Sequence, residues 1–506
     1  MSNYLSSIIK VPLMAMAGTL TIQASAQQAA GSGRPFNVLF IASDDMNSDL
    51  NAFGNPAVST PNFDRLAKRG IVFNRAYNQA PLSAPSRASL MTGYLPDKTG
   101  VYDLAVNFRE KLPDAVTLAQ MFKNNGYFTC RIGKIFHQNV PSGIGQPGPD
   151  DPDSWTTTFN PIGKDRTDEY RLVMDAPILG TYLAMDCNDD ELTDAISANV
   201  ALSILRQRTG HGGNSAYGGG PGRVNPQPFF MAVGFYRPHI PYMAPKKYFD
   251  MYPPEKIMLP ESRADDWDNK PDAAAWVLPL NGGTTREQQK NATQAYYACI
   301  SFVDAQIGKL LDGLEEFGLL ENTIIVFWSD HGYNLGEHGQ WQKQTLFEKT
   351  SKQPLLISAP GFSKGAATNA IVQMVDIYPT LADLTGFNAP ADLAGHSLVP
   401  LLKNPEAVWN YPAFTLQART LNPNAREGQS KYTFNPDLRS KNPTIFGRSV
   451  RVERYRYTEW DEGRKGSELY DYETDPNEFS NLAEKPEYRD LVRKLSDVLH
   501  SAYKNN

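Results

Sequence analysis

The chain has 506 residues, 41% of them hydrophobic and 21% charged, a length and balance that allow a large buried core and exclude disordered and collagen-like classes. Its formal net charge of −6 argues against nucleic acid as a bulk partner and leaves room for a local basic pocket that takes an anion. Cys130, Cys187 and Cys299 are the only cysteines, so at most one disulfide can form and no thiolate zinc site is available.

Lys10 precedes the apolar run VPLMAMAGTLTI, and Ala24-Ser25-Ala26 offers the small-x-small pattern of a signal-peptidase site. Residues 1–26 therefore read as a removed export signal, and the run is too short to span a bilayer. The expectation is a periplasmic or secreted protein with no membrane association once the signal is gone. Asn37 to Ala42 is a short unbroken apolar run, the mark of a central strand covered on both faces, and it ends in Ser43-Asp44-Asp45. Ligands collect at the ends of such strands. Thr60 and Pro61 cap and open a helix that Gly70 closes, and Ile71 to Tyr77 is the next strand. It delivers the chain to Pro81 to Gly93, PLSAPSRASLMTG, a proline-flanked turn feeding a helix with Ser83 at its start and Arg87 nearby. Helix N-termini present free N–H groups and partial positive charge, so an anion, or a nucleophile about to attack one, is stabilised there.

Asp114 to Asn125 has helical spacing, and Tyr127 to Ile132 is a strand running into Gly133-Lys134-Ile135-Phe136-His137. Residues 138–158 and 209–228 are rich in turn formers and read as loops or insertions. Phe229 to Phe235 is a third buried strand, followed by Tyr236-Arg237-Pro238-His239-Ile240-Pro241, whose prolines hold an extended loop that aims His239. Thr284 and Glu287 make a capping box for a long helix through Glu316, with Ala295, Cys299, Phe302, Val303, Ile307, Leu310 and Leu314 as a core stripe. Thr323 to Trp328 repeats the pattern of the first strand and ends in Ser329-Asp330-His331-Gly332. Glu337, His338, Trp341 and Lys343 follow in a polar loop, then a strand at Leu355 to Ser358.

This alternation predicts an α/β fold, a large mostly parallel central sheet flanked by helices, over residues 27–398. From Val399 the pattern changes. Ser449 to Trp460 alternates as one strand, Gly463 marks a turn, and Glu468 to Asp471 pairs back, so a smaller C-terminal antiparallel α+β subdomain is expected over 399–506, closed by a helix from Glu487 to Tyr503.

Asp44, Asp45, Asp330 and His331 all follow strand ends, which a parallel sheet lines up along one edge. Carboxylates gathered there repel one another, so a divalent cation is the natural compensation, and oxygen-rich ligation favours Ca²⁺ or Mg²⁺. A serine hydroxyl is a weak nucleophile and needs a base, a metal or covalent conversion. Lys134, His137, His239 and Lys343 are candidates to neutralise an anionic group and protonate its leaving oxygen.

Ser83-Ala84-Pro85-Ser86-Arg87, continued by Thr92-Gly93, resembles the serine form of the C/S-x-P-x-R…T-G signature of the formylglycine-dependent sulfatases, within the alkaline phosphatase-like superfamily. Asp44-Asp45, Thr60-Pro61-Asn62, Gly133-Lys134 with His137, Arg237-Pro238-His239, Asp330-His331-Gly332, Gly336-Glu337-His338-Gly339 with Trp341 and Lys343, and the late Glu468-Leu-Tyr-Asp471 with Asp475-Pro476 and Asn481-Leu482 follow in the family's order. The set spans nearly the whole chain after the signal and is most similar to the iduronate-2-sulfatase-like branch. The resemblance implies that a maturation enzyme oxidises Ser83 to formylglycine (3-oxoalanine), whose hydrate attacks sulfur. It implies a Ca²⁺ ion, or Mg²⁺, on Asp44, Asp45, Ser83, Asp330 and His331. Arg87 would fix the modified residue. Lys134, His137, His239 and Lys343 would bind sulfate or supply the acid, His239 ahead of Lys343, and His338 and Trp341 would join Lys134, His239 and Lys343 in contacting substrate. The implied reaction is hydrolysis of sulfate esters on a sulfated oligo- or polysaccharide, with a uronic acid 2-sulfate as the suggested target. Two other functions stay open at this point: a phosphonate monoester or phosphodiester hydrolase of the same superfamily, and a non-catalytic binder of sulfated glycans with Ser83 unmodified.

Overall fold

The computed structural model describes residues 35–173, 176–210, 227–422, 425–426, 429–433 and 444–504. The expected export signal and most of the 209–228 loop lie outside the described residues. Among the described residues the main sheet has nine strands: β1 (Asn37–Asp44), β2 (Ile71–Tyr77), β3 (Phe128–Gly133), β4 (Thr157–Phe159), β5 (Phe229–Pro238), β6 (Thr323–Ser329), β7 (Lys352–Gln353), β8 (Leu355–Ser358) and β9 (Ala366–Gln373). Their order is β7-β2-β8-β6-β1-β5-β3-β4, with β9 beside β2. Strands β6, β1, β5, β3 and β4 run parallel, while β8 is antiparallel to both β6 and β2.

Every residue of β1 is buried, which is why Val38 to Ala42 within it form an unbroken apolar run rather than an alternating one. Successive side chains still point to opposite faces. Leu39 and Ile41 pack with the helices Pro61–Arg69, Thr193–Arg208 and Arg286–Glu316, whereas Val38, Phe40 and Ala42 pack with Ser83–Thr92, Leu118–Asn124 and Ile377–Thr385. Burial of each such Leu, Ile or Phe contributes about 1.5–3 kcal/mol, so the two half-cores hold the sheet and fix where its carboxyl edge lies. Five further strands, β10 (Ala413–Leu421), β11 (Tyr432–Thr433), β12 (Thr444–Arg451), β13 (Tyr455–Trp460) and β14 (Ser467–Asp471), form a wholly antiparallel sheet in the order β11-β10-β12-β13-β14. The helix Arg489–Lys504 packs on β12 and β13.

Several local expectations shift. The stretch from Ser449 to Trp460 is a hairpin, because the chain reverses at Val452 to Arg454 and Val452 N–H donates to the carbonyl of Tyr455. The long helix is capped by Thr285 with Gln288, one residue later than the Thr284 and Glu287 pair. The helix expected from Asp114 starts only at Leu118, where Thr117 and Gln120 make the capping box. Thr60 precedes its helix without a capping bond, its hydroxyl accepting instead from Asn51 N–H at 3.0 Å. The 138–158 loop ends inside the fold, with Asp151, Ser154 and Trp155 buried and Thr157 already in β4. All three cysteines are free.

Candidate active site

Parallel register decides which residues meet. Ser43 on β1 sits opposite Ser329 on β6, and Asp44 sits opposite Pro238 on β5, so the residues that follow all three strands converge at one edge. The chain after β1 turns sharply. Asp45 has φ of 65°, and its backbone is held by its N–H to Asp330 Oδ1 at 3.0 Å and by the Tyr296 hydroxyl donating to its carbonyl at 2.7 Å. On the neighbouring strand pair, Gly133 and Gly234 allow the backbone to close up: a Cβ on Gly234 would stand 1.8 Å from the Lys134 carbonyl. That contact leaves no room for any other residue and sets where Lys134 begins.

The helix Ser83–Thr92 enters this edge from β2, with all ten residues buried. Ser83 Oγ donates to Asp44 Oδ1 at 3.3 Å and lies 3.4 Å from His331 Nε2. Ser86 Oγ donates to the Asp330 carbonyl. One turn in, Arg87 spans the cluster: Nε meets Asp330 Oδ2 at 3.0 Å, Nη2 meets Asp44 Oδ1 at 3.0 Å, and Nη1 donates to the carbonyls of Lys134 at 3.1 Å and Ile135 at 2.9 Å. Lys134 Nζ bonds Asp44 Oδ2 at 2.5 Å, and Lys343 Nζ bonds both oxygens of Asp45 at 2.6 and 2.8 Å. Three carboxylates (Asp44, Asp45, Asp330) thus face three cations (Arg87, Lys134, Lys343), all out of bulk water.

Burial and charge pull these groups in opposite directions. Burial alone would push Asp44 up, but Lys134 and Arg87 hold its carboxyl well below the usual range. Burial opposes Arg87 at Asp330 too, where the guanidinium prevails and the net shift is downward. At Asp45 burial prevails over Lys343 and the shift is upward. Burial, with Lys343 and Lys134 nearby, drives His239 well below its ordinary value, and burial beside Lys134 pushes His137 down to about 3.

The tautomers follow from the neighbours. His331 Nδ1 is 2.9 Å from the Gly332 carbonyl and His239 Nδ1 is 2.5 Å from the Ile240 carbonyl. A carbonyl only accepts, so both rings carry a proton on Nδ1 and turn Nε2 inward, bare in the neutral His239 ring. That of His331 lies 3.3 Å from Asp45 Oδ1 and 3.7 Å from Asp330 Oδ2, and that of His239 lies 3.8 Å from Asp45 Oδ2. Ligand atoms of Asp45, Asp330 and His331 lie within 4.8 Å of one another, as do those of Asp44, Asp45 and His239. Carboxylate oxygens plus an imidazole lone pair, already oriented by a carbonyl, form a donor set suited to a hard divalent cation. The residues present fit such an ion.

Two of the residues expected to contact substrate do not reach this cluster. Trp341 is wholly buried and its indole N–H donates to Asn281 Oδ1 at 2.9 Å. His338 stacks on Phe347 with ring centres 4.2 Å apart and sets Nδ1 3.1 Å from Asp266. Both brace the loop that carries Lys343, because an apolar ring and a paired imidazole are more stable in its packed base than in a wet pocket. His137 is buried, and neither of its ring nitrogens is hydrogen-bonded among the described residues. Conversely, Tyr296 and Ser86 hold the site's backbone, and Arg237 ties the His239 loop by donating to the carbonyls of His239 at 3.0 Å and Pro241 at 2.8 Å. The available signals were weak: Arg237 stood in the named Arg-Pro-His loop, while Tyr296 looked like one more residue of a core helix.

The chain is similar to known proteins over most of its length. The family model described as Sulfatase matches residues 36–387. A sulfatase from Formosa agariphila is 33% identical over 483 residues, covering 92% of this chain and 86% of that protein. Human iduronate 2-sulfatase is 30% identical over 540 residues, covering 93% of this chain and 95% of its own length. Among solved structures, a phosphonate monoester hydrolase from Silicibacter pomeroyi superposes with a TM-score of 0.72 at 23% identity, over 93% of this chain and 96% of that one. A 2-O GAG sulfatase gives 0.67 at 23% identity over 92% of each. These two establish a common fold. A family match that runs from β1 past the last strand of the main sheet, with relatives aligned over nearly their whole length, means that the chain belongs to the sulfatase family and is a sulfuric ester hydrolase.

Proposed function

We propose that this protein is exported and removes sulfate from a sulfated glycan, with a uronic acid 2-O-sulfate as its target and Ser83, oxidised to formylglycine by a maturation enzyme, as its nucleophile. The observation that carries the reading is the placement of Ser83 Oγ, buried at a helix start and 3.3 and 3.4 Å from Asp44 and His331. Asp44, held ionised by cations, is a poor proton acceptor for a plain hydroxyl, and His331 Nε2 would be taken up by the cation. Conversion to an aldehyde hydrate supplies a second hydroxyl, so the covalent sulfate ester can be expelled without a separate attacking water. Similarity to iduronate 2-sulfatase supports the choice of sugar.

Asp44, Asp45, Asp330 and His331, with the oxygen of residue 83, would hold a divalent cation, Ca²⁺ or Mg²⁺, which polarises the sulfate when bound. Arg87 keeps residue 83 and two of the carboxylates in register. Lys134 and His137 line the side on which an anion sits, and the N–H of His137, without a protein partner among the described residues, donates to it. Lys343 carries transferable protons 2.6 Å from Asp45, whereas His239 presents a bare Nε2, so Lys343 protonates the leaving alcohol and His239 orients it. A division of the chain into a catalytic unit over 27–398 and an antiparallel unit over 399–506 belongs to the same reading.

The test begins with the native-host protein. Peptide mass across 81–93 should be two hydrogens lighter than the encoded sequence, and a panel of defined sulfated disaccharides should release sulfate fastest from a 2-sulfated uronic acid. An unmodified Ser83 in an active enzyme refutes the nucleophile, and faster turnover of an aryl phosphonate than of the matched aryl sulfate refutes the reaction class. Binding of sulfated sugars with no turnover by matured, metal-loaded protein would mark a glycan binder instead.

A further inference from the structure

The loop that presents Lys343 runs through backbone that residues with side chains seldom adopt. Gln342 and Gln344, on either side of Lys343, have φ of 66° and 74°. Such a conformation persists only where its surroundings hold it. Here three bonds from outside the loop do so. Gln342 Nε2 donates to the Ile178 carbonyl at 2.9 Å, Gln344 N–H donates to the Pro81 carbonyl at 3.2 Å, and the guanidinium of Arg419 donates to the Gln344 carbonyl. Pro81 lies two residues before Ser83, so the second bond ties the lysine's loop to the segment that carries the nucleophile.

Arg419 is the unusual partner. It comes from β10 of the antiparallel sheet, is 0% exposed, and among the described residues has no carboxylate at ion-pair distance. Among the described residues its other bond is to the Ala273 carbonyl at 3.3 Å, and its buried Nη1 has no partner among them. The rings of Trp276 and Trp460 lie 5.2 and 5.4 Å from its guanidinium carbon. Burial pushes its pKa down to about 9, which expresses the same strain on the charge. An unpaired buried cation is expensive, and an unbranched apolar side chain would fill a tryptophan-lined slot more cheaply. What no apolar side chain supplies is a donor for the Gln344 carbonyl.

We propose that Arg419 is a positioning residue for Lys343, through which the antiparallel sheet sets the geometry of the catalytic edge. The proposal rests on the reading of Lys343 as the proton donor, and its test separates the two. Arg419→Met, Arg419→Lys and Lys343→Ala are compared by thermal unfolding, by steady-state kinetics on 4-nitrophenyl sulfate, and by deuterium uptake of the peptide covering 338–346. Arg419→Met is expected to unfold at or above the wild-type temperature, to take up deuterium faster in that peptide, and to lose at least about tenfold in kcat, in line with the cost of misplacing a catalytic group, with KM within about twofold. Arg419→Lys, which keeps a donor and also serves if the methionine variant does not fold, should recover part of both losses. Wild-type uptake in Arg419→Met overturns the proposal, as does a loss of kcat that comes with lower thermal stability and unchanged uptake. Wild-type kcat in Lys343→Ala refutes the role of Lys343 itself, while the uptake data still decide whether Arg419 holds the loop.

Discussion

Replacing Arg87 by methionine removes the cation that joins two of the three carboxylates. Lys134 still faces Asp44 at 2.5 Å, so the charge left without a lysine or arginine is Asp330, which among the described residues pairs with Arg87 alone of these and has the His331 ring 3.7 Å away. Breaking a buried pair by deleting one partner costs about 3–5 kcal/mol, because the remaining charge stays desolvated. The carbonyls of Lys134 and Ile135 also lose their donor, which adds to the loss. Unfolding entropy scales with length at about 2 cal/mol/K per residue, so a chain of this size changes Tm by roughly 1 °C per kcal/mol. The expected fall is therefore about 3–5 °C, measured by scanning calorimetry at neutral pH in the presence of a chelator so that no bound ion offsets it. Arg87→Lys keeps a charge but loses the planar fork that reaches Asp44 and Asp330 together, and should fall by about half as much. A methionine variant within 1 °C of wild type would refute the picture of Arg87 as the tie between the strand ends.

Added Ca²⁺ at about a hundred times its Kd should stabilise the native state by about 2.7 kcal/mol; Asp330→Asn should abolish that rise in Tm, and an undiminished rise would place the ion elsewhere. Trp341→Phe should cost about 1 kcal/mol, lowering Tm by about 1 °C, through the lost bond to Asn281 while leaving KM unchanged; a raised KM would return Trp341 to the substrate pocket. Asp376, buried and accepting from the N–H groups of Gln373 and His396, is pushed up to about 7 by burial. Its favoured folded form is the neutral acid, so the stability it contributes is present below the ordinary carboxylate range and is lost as pH rises through about 7. The Tm gap between wild type and Asp376→Asn should accordingly narrow between pH 5 and pH 8, and a constant gap would contradict the shift.

How much of this was legible beforehand depended on whether the signal was local. Asn37 to Ala42 and Thr323 to Trp328 could be read because a strand buried on both faces must be apolar throughout, and a polar residue at its end must have a reason. From those two runs came the α/β fold and the set Asp44, Asp45, Asp330 and His331. Ser83 was readable because its prolines and Gly93 punctuate one short helix. The threonine pair at 284 and 285 was not resolvable to the residue, since either can cap and only the packed helix selects one. The reversal at Val452 to Arg454 carries no Gly, Pro or Asn and was therefore invisible.

The sequence by itself determined the class of the sheet, the family motif and the chemistry gathered at its edge. Tertiary structure alone decided which side chains of the 336–347 loop turn inward. Lys343 and Trp341 are two residues apart in the same polar stretch, yet one bonds Asp45 and the other is sealed against Asn281. Their directions are set by left-handed backbone at His338, Gln342 and Gln344. The backbone around Gln342 and Gln344 is held by Ile178, Pro81 and Arg419, and that at His338 by Trp267, all distant in sequence. A periodic element displays its faces in its own letters, whereas an irregular loop takes its shape from whatever packs against it.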